Sequence, residues 1–365
     1  MFVEELWESV ENRVKQYVQD QAKAILPLEP IGDGEHVVLR SPTALANFHH
    51  VLHGPEGSIH RVRVRSLDAS WSTEIPLSIQ DAINMVCVLS QLPNLVSLSV
   101  NMPIHMPFPF VDPIRPSLSK ALATQLMLEG LAWESHAGTR DMARHYHVLP
   151  PDFLYVLSNF AALSNLRVLD TTLGFLTRLP ERVCANVTNL AVIIISAQQN
   201  EACATIERKF RRSLRRLKIT RLFKHAVRKV SPTRICALLG AKELEYLEVV
   251  DRDVTGGVCR VPGRRDSDVL LGTEEARAAA YECPQLRTIV WEPSWSSRLV
   301  DTYDIERSTH RYQGDLLATF GSPLEVYLRV NEAQGVRVAL EDDGRPNKCP
   351  MVRDLGESLR WDVLS

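Results

Sequence analysis

Apolar positions recur along this chain in one short pattern: an apolar residue, a gap of two, then two further apolar residues separated by one. In the form Leu-x-x-Leu-x-Leu, with other apolar side chains allowed, it occurs at Ile59/Val62/Val64, Leu95/Leu98/Val100, Leu128/Leu131/Trp133, Leu166/Leu169/Thr171, Leu190/Ile193/Ile195, Leu214/Leu217/Ile219, Leu244/Leu247/Val249 and Leu286/Ile289/Trp291. The copies follow one another at intervals of 36, 33, 38, 24, 24, 30 and 42 residues. The paired apolar positions have the period of a β-strand with one buried face, and the leading leucine enters the core from the preceding turn.

Between the copies lie stretches with helical spacing, such as Ile79, Ile83, Val86, Leu89 and Phe153, Val156, Leu157, Phe160, Leu163. Several copies follow a polar turn of similar wording, Leu92-Pro93-Asn94-Leu95, Leu163-Ser164-Asn165-Leu166, Val187-Thr188-Asn189-Leu190 and Cys283-Pro284-Gln285-Leu286, where Pro and Asn stop the helix and turn the chain. One strand-helix unit cannot bury its apolar edge alone, so the units must stack. The expected fold is α/β: an irregular leucine-rich-repeat-like solenoid with a parallel inner sheet and outer helices. A doubly wound sheet is the competing architecture. The rungs are shorter than its central strands and carry polar residues between their apolar ones.

The pattern divides the chain into an N-terminal helical segment at 1–36, a solenoid at 37–334 and a C-terminal cap or tail at 335–365. Pro103 to Pro116 and Val254 to Gly272, rich in Pro, Gly or charge, read as loops bulging from the solenoid.

The turns, together with Leu39-Arg40-Ser41-Pro42-Thr43-Ala44-Leu45-Ala46-Asn47-Phe48-His49-His50-Val51-Leu52 and the following Ile59-His60-Arg61-Val62-Arg63-Val64, resemble the F-box/leucine-rich-repeat-like proteins abundant in basidiomycete fungi. The resemblance covers roughly residues 37 to 330 and rests on leucine spacing. It implies a substrate-recruiting subunit of a ubiquitin ligase, with an F-box holding the ligase adaptor and the repeats holding a target. Residues 1–36 depart from that pattern: Glu4-Glu5-Leu6-Trp7-Glu8, then Val14, Tyr17, Val18, Ala22, Pro27 and Pro30, contain no Leu-Pro-x-Glu-like helix start.

Composition narrows the function classes. Lys and Arg (42) nearly balance Asp and Glu (44), so no overall field selects nucleic acid or an anionic membrane. No apolar run approaches the roughly 20 residues that cross a bilayer, and Met1 to Asp20 lack a secretory apolar core. The seven cysteines are scattered, without a CxxC pair, which suits a reducing cytoplasmic or nuclear compartment. There Asn186-Val187-Thr188 is a chance glycosylation triplet.

Candidate chemistry is sparse, and no cofactor or metal is expected. Leu247-Glu248-Val249-Val250-Asp251-Arg252-Asp253-Val254-Thr255 resembles the first motif of haloacid-dehalogenase-like hydrolases, whose first Asp is a nucleophile beside magnesium. Those enzymes place a Lys before a later acidic pair, whereas Asp342-Asp343 precede Lys348, so Asp251 and Asp253 read as turn residues. His49, His50, His53 and His60 cluster, and His145 and His147 sit two apart, but neither group has the H-E-x-x-H spacing of a zinc site; solvated or core-edge histidines are expected. Cys87 and Cys236, each eight residues before a rung leucine, read as small core residues.

Between Arg208 and Arg234 stand twelve Lys or Arg and no Asp or Glu. Such a run attracts phosphate or acidic protein. Phe210 and Phe223 are its only aromatic residues, too few for a base-stacking nucleic-acid platform. If the rungs line an open face, residues between their inward leucines point to solvent there. This predicts a partner-binding row of Val168, Asp170, Val192, Ile194, Arg216, Lys218, Tyr246 and Glu248, suited to an acidic, partly apolar protein. The expected function is therefore a non-enzymatic interaction scaffold, with the ligase subunit and a magnesium-dependent phosphohydrolase as alternatives.

Overall fold

A computed structural model describes residues 35–70, 79–101, 120–122, 124–134, 160–195, 198–223, 232–253, 281–292, 325–329, 334–338 and 352–354. Twelve strands form one sheet in strictly sequential order. They are β1 (His36–Leu39), β2 (Ser66–Ser70), β3 (Ser97–Asn101), β4 (Gly130–Glu134), β5 (Val168–Thr172), β6 (Asn189–Ile195), β7 (Arg216–Phe223), β8 (Tyr246–Asp253), β9 (Thr288–Glu292), β10 (Glu325–Arg329), β11 (Gln334–Val338) and β12 (Val352–Asp354). Strands β1 to β10 are parallel, each to the next, and β11 and β12 add antiparallel pairs at one end. A doubly wound sheet reverses its strand order at a switch point, and this one never does. Parallel neighbours joined by crossovers of one hand carry all their helices on one face, which is the arrangement of a leucine-rich-repeat-like solenoid.

The described helices are α1 (Pro42–His53), α2 (Gly57–Arg63), α3 (Ile79–Gln91), α4 (Leu173–Arg178), α5 (Glu181–Cys184), α6 (Gln199–Phe210) and α7 (Pro232–Leu239), with a 3-10 turn at Phe160–Asn165. Ser41 starts α1, accepting the Ala44 N–H on its Oγ at 3.1 Å, with Pro42 in the first turn, where its missing N–H is harmless. Leu45, Phe48 and Leu52 of α1, Met85, Val88 and Leu89 of α3, Ala202, Ile206 and Phe210 of α6, and Ile235 and Leu239 of α7 join one apolar core. The strands supply two rows to it. In register, Val37, Leu67, Leu98, Leu131, Leu169, Leu190, Leu217, Leu247 and Ile289 form the first. Val192, Ile219, Val249 and Trp291 belong to the second.

The turns are stitched as closely as the strands. The carbonyl of Val96 accepts N–H groups from both Glu129 (2.8 Å) and Gly130 (3.0 Å), and those of Glu35, Arg65, Glu129, Arg167, Thr188, Arg215 and Glu245 do the same for the next repeat. Polar side chains add a second thread. The amide groups of Asn94, Asn165 and Asn186 donate to the carbonyls of Val62 (2.9 Å), Leu126 (2.9 Å) and Ser164 (2.7 Å), and the Ser213 hydroxyl to Cys184 (3.1 Å). The turn asparagines thus bind the preceding repeat as well as ending a helix, satisfying carbonyls that a turn leaves open.

Two copies of the sequence pattern sit out of register. Ile59 and Val62 lie in or beside α2, at 52% and 60% exposure, and the strand rung is Val64/Leu67/Ala69, all fully buried. The rung of β6 begins at Val187, with Leu190, Val192 and Ile194 facing the core. Val192 and Ile194, expected on the solvent face, are therefore core residues. In Asn189-Leu190-Ala191-Val192-Ile193-Ile194-Ile195 both parities are apolar, so alternation alone does not choose a face. Of the second predicted helical stretch only Phe160–Asn165 is described, as the 3-10 turn. The expected loops at 103–116 and 254–272 lie outside the described residues.

Truncating Ile194 to Ala should destabilise the protein by about 2–5 kcal/mol in chemical denaturation, and Val168→Ala by less than about 1 kcal/mol. Equal losses would contradict the register.

Candidate functional site

Residues facing away from the helices divide the sheet's second face into two halves. Over β2 to β5 they are small or acidic. Ser97 pairs in register with Gly130, and Ser99 with Ala132. Ser66 and Asp68 flank them on one side, Val168 and Asp170 on the other. Ser97 is exposed and the other seven are half-buried, so this half is an accessible shallow trough. A Cβ placed on Gly130 would meet Ser97 alone, its Oγ nearest at 3.4 Å, so the floor is low because its side chains are small. Asp68 is paired with Arg40 at 3.0 Å.

Over β6, β8 and β9 the same face is largely covered, while Arg216, Lys218 and Thr220 of β7 are half-buried. Ala191, Ile193, Tyr246, Glu248, Val250 and Val290 are all buried, yet they stand outside the helix-side apolar core. Tyr246 and Glu248, expected in solvent, are 2% and 1% exposed. The physical reason is written in the strands: Ile193, Val250 and Val290 make the outward positions apolar, the mark of strands covered on both faces.

Four of the predicted residues do come together here. Arg216 stands opposite Tyr246, with its guanidinium 5.0 Å from the ring centroid, and Lys218 stands opposite Glu248 at 3.7 Å. The Tyr246 hydroxyl donates to Glu248 Oε2 at 2.8 Å. Cross-strand pairing has joined these charges to one another: Glu248 is held by Tyr246 and Lys218, and the cations are half-buried. Val168 and Asp170 lie on β5, beyond β6 from this cluster.

The acidic motif of β8 has a structural assignment. Asp251 is fully buried on the helix side, in register with fully buried Arg221. Arg221 donates Nε to Asp251 Oδ1 (2.8 Å), Nη2 to Oδ2 (3.1 Å) and Nη1 to Gln199 Oε1 (3.0 Å), and Trp291 Nε1 donates to Oδ2 (3.0 Å). Three donors engage both carboxylate oxygens, so Asp251 serves as the centre of a buried polar network joining β7, β8, β9 and α6. This arrangement offers no approach for a nucleophilic Asp251. The Asp253 side chain lies outside the described residues.

The basic run is partly consumed in the same way. Lys209 Nζ donates to the carbonyls of Leu176 (3.0 Å), Thr177 (2.6 Å) and Leu179 (2.6 Å), capping α4, while burial holds its pKa below the usual lysine value. Arg221 is inside the core, while Arg208, Arg211, Arg212 and Arg215 are exposed. Residues 224–231 lie outside the described set. The sequence could not separate Lys209 and Arg221 from their exposed neighbours, because composition carries no register.

Cys184, Cys203, Cys236 and Cys283 are buried with free thiols, while Cys87 is half-exposed. Burial pushes Cys184 up to about 11 and Cys203 to about 12. Cys236 is raised by its hydrogen bond with Cys283 and then by burial. These thiols are inert packing groups. Among the described residues no helix is long and apolar enough to cross a membrane, and no group of three or more His, Cys, Asp or Glu could hold a metal ion.

The fold defines this chain as an open parallel α/β solenoid of the leucine-rich-repeat type. No protein-family model matches it, and no curated protein does. Among solved structures it is similar to the crystal structure of the Rad7 and Elc1 complex in yeast, at 12% identity over 82% of this chain and 94% of that one, with a TM-score of 0.21. The fold assignment above rests on strand order, register and core placement.

Asp251→Ala, which strands Arg221 in the core, should cost about 3–5 kcal/mol of stability, and the double change Arg221→Met with Asp251→Leu appreciably less. A double change as costly as the single one would show that the network is not governed by its charges. Stability should also fall at alkaline pH. The folded-state thiols bind their protons more tightly than the unfolded chain, so their contribution is complete below about 9 and is lost as pH rises through about 11 to 12. Replacing Cys184 and Cys203 by Ala should flatten that decline in equilibrium unfolding.

Proposed function

We propose that this protein is a non-enzymatic scaffold that binds a partner protein across the second face of its sheet, over β2 to β5. The observation that carries this reading is the contrast between the two halves of that face. One half is largely buried, its cations Arg216 and Lys218 set against Tyr246 and Glu248, and the other is an accessible trough floored by Ser97, Ser99, Gly130 and Ala132. Neighbouring strands are about 5 Å apart, so a floor two strands wide suits an extended segment lying close to the sheet.

The flanking Asp68 already meets Arg40 at 3.0 Å, so the small floor, rather than a charge, defines the segment that fits. The acidic partner expected from Arg216 and Lys218 has less support, because those cations already face Tyr246 and Glu248. The basic run is a weaker candidate for the same reason, with Lys209 and Arg221 engaged internally. A ubiquitin-ligase role would need an adaptor-binding segment within 1–36, of which the structure describes only Glu35 and His36. A phosphohydrolase would need Asp251 free of its buried network.

Both Ser99 and Ala132 point away from the core, so Ser99→Arg with Ala132→Arg should fill the trough while leaving the thermal midpoint within a few degrees. In affinity purification from the native source, partners recovered with the wild type should be depleted at least tenfold with this variant. They should persist with Arg211→Glu and Arg212→Glu. The reverse result would move the binding surface to the basic run and overturn the proposal.

A further inference from the structure

The histidines of α1 are arranged more narrowly than their sequence suggests. His49 and His53 are one helical turn apart in the last turns of α1, and their Nε2 atoms are 3.0 Å from each other. The rings meet edge to face, with centroids 4.6 Å apart and planes at 77°. A third group reaches them from α3: Gln91 Nε2 lies 2.8 Å from His53 Nε2.

As a purely hydrogen-bonded cluster this arrangement is over-subscribed. Each neutral imidazole Nε2 either donates one proton or accepts on one in-plane lone pair. If His49 donates to His53, the Gln91 amide has no remaining lone pair on His53 to aim at. If His53 donates to His49, the Gln91 N–H faces another N–H. Oε1 of Gln91 is enclosed and has no hydrogen-bond partner as it stands; rotating the amide brings it to His53, where it can accept the Nε2–H, and leaves the two imidazole Nε2 atoms 3.0 Å apart and facing one another.

A cation between the two Nε2 atoms would take both lone pairs at once. With metal–nitrogen bonds of about 2.0–2.1 Å, two imidazoles are separated by about 2.8–3.0 Å at a square-planar angle and about 3.3–3.4 Å at a tetrahedral one. The observed 3.0 Å lies at the square-planar limit and a few tenths of an ångström from the tetrahedral. The rotated Gln91 oxygen then becomes a third donor or accepts from a metal-bound water. The C-terminal end of α1 carries negative partial charge, which favours a cation, although Arg61 Nε already takes the Leu52 carbonyl at 3.0 Å.

We infer that His49 and His53 form a two-imidazole site for a borderline divalent transition metal, with Cu2+ preferred over Ni2+ and Zn2+, that ties the end of α1 to Gln91 of α3. The preference follows the general affinity order of nitrogen sites for these ions. Water completes the coordination, since no third His, Cys, Asp or Glu converges here among the described residues. Both imidazoles bind the ion through their unprotonated Nε2 atoms.

The test is titration of the full-length, chelator-treated protein with Cu2+ at pH 7.5 against a chromogenic competitor, followed by paramagnetic resonance of the one-equivalent sample. Variants are His49→Gln, His53→Gln, the neighbouring His50→Gln as control, and Gln91→Ala. Wild type and His50→Gln should hold one Cu2+ with hyperfine coupling to two imidazole nitrogens. His49→Gln and His53→Gln should each lose at least tenfold in affinity and show one fewer nitrogen. Gln91→Ala should weaken binding a few-fold while keeping both. Circular dichroism melts of the variants separate loss of the site from loss of the fold. Equal titrations of wild type, His49→Gln and His53→Gln, or loss of the ion in His50→Gln alone, would overturn the inference.

Discussion

No strand of this sheet between the first and the last is complete without the two beside it. Backbone N–H and C=O groups find their partners across the parallel register, and the paired inward side chains of each strand are buried only when those of its neighbours stand above and below them. The carbonyl of Val96 receives two N–H groups from the next repeat, and Leu98 lies between Leu67 and Leu131. Stability is therefore shared between nearest neighbours, and register is the quantity on which every statement about a face depends.

This dependence explains which parts of the fold were legible in the sequence. Where outward positions are polar or small, as in Ser97-Leu98-Ser99-Val100 or Arg216-Leu217-Lys218-Ile219, alternation identifies the inward residues correctly. Where both parities are apolar, as in β6, it does not, and Val192 and Ile194 were assigned to the wrong side. The first copy failed for another reason. Ile59 and Val62 match the spacing by chance on α2, while the true rung ends in Ala69, too small to stand out. Six of the eight copies and the helix over Ile79–Gln91 could be read from local pattern. The largely covered half of the second face could have been anticipated from Ile193, Val250 and Val290 once the register was known.

The charged residues show the same limit. Arg221 and Asp251 are separated by 30 positions and look like members of a basic run and an acidic turn, but the register of β7 and β8 makes them direct neighbours inside the core. Lys209 looks like a surface cation and caps a helix. Sequence reports which side chains a segment carries, and only the stacking decides whether a charge meets solvent, a carbonyl or its opposite. His49 and His53 had the helical spacing to meet, yet the approach of Gln91 depends on how α1 and α3 pack.

The register of the accessible half can be measured with an engineered cross-link. Ser99 and Ala132 are direct neighbours on adjacent parallel strands and point the same way, so cysteines at both positions fall within the roughly 4.4–6.8 Å Cα range that a disulfide spans. The Ser99→Cys, Ala132→Cys protein should oxidise to an intramolecular disulfide under mild conditions, with both sites reactive to thiol reagents beforehand. The Ser99→Cys, Trp133→Cys protein, one residue out of step and on the opposite parity, should not. Cross-linking in the second protein and none in the first would contradict the register, and with it both the solenoid's two faces and the trough.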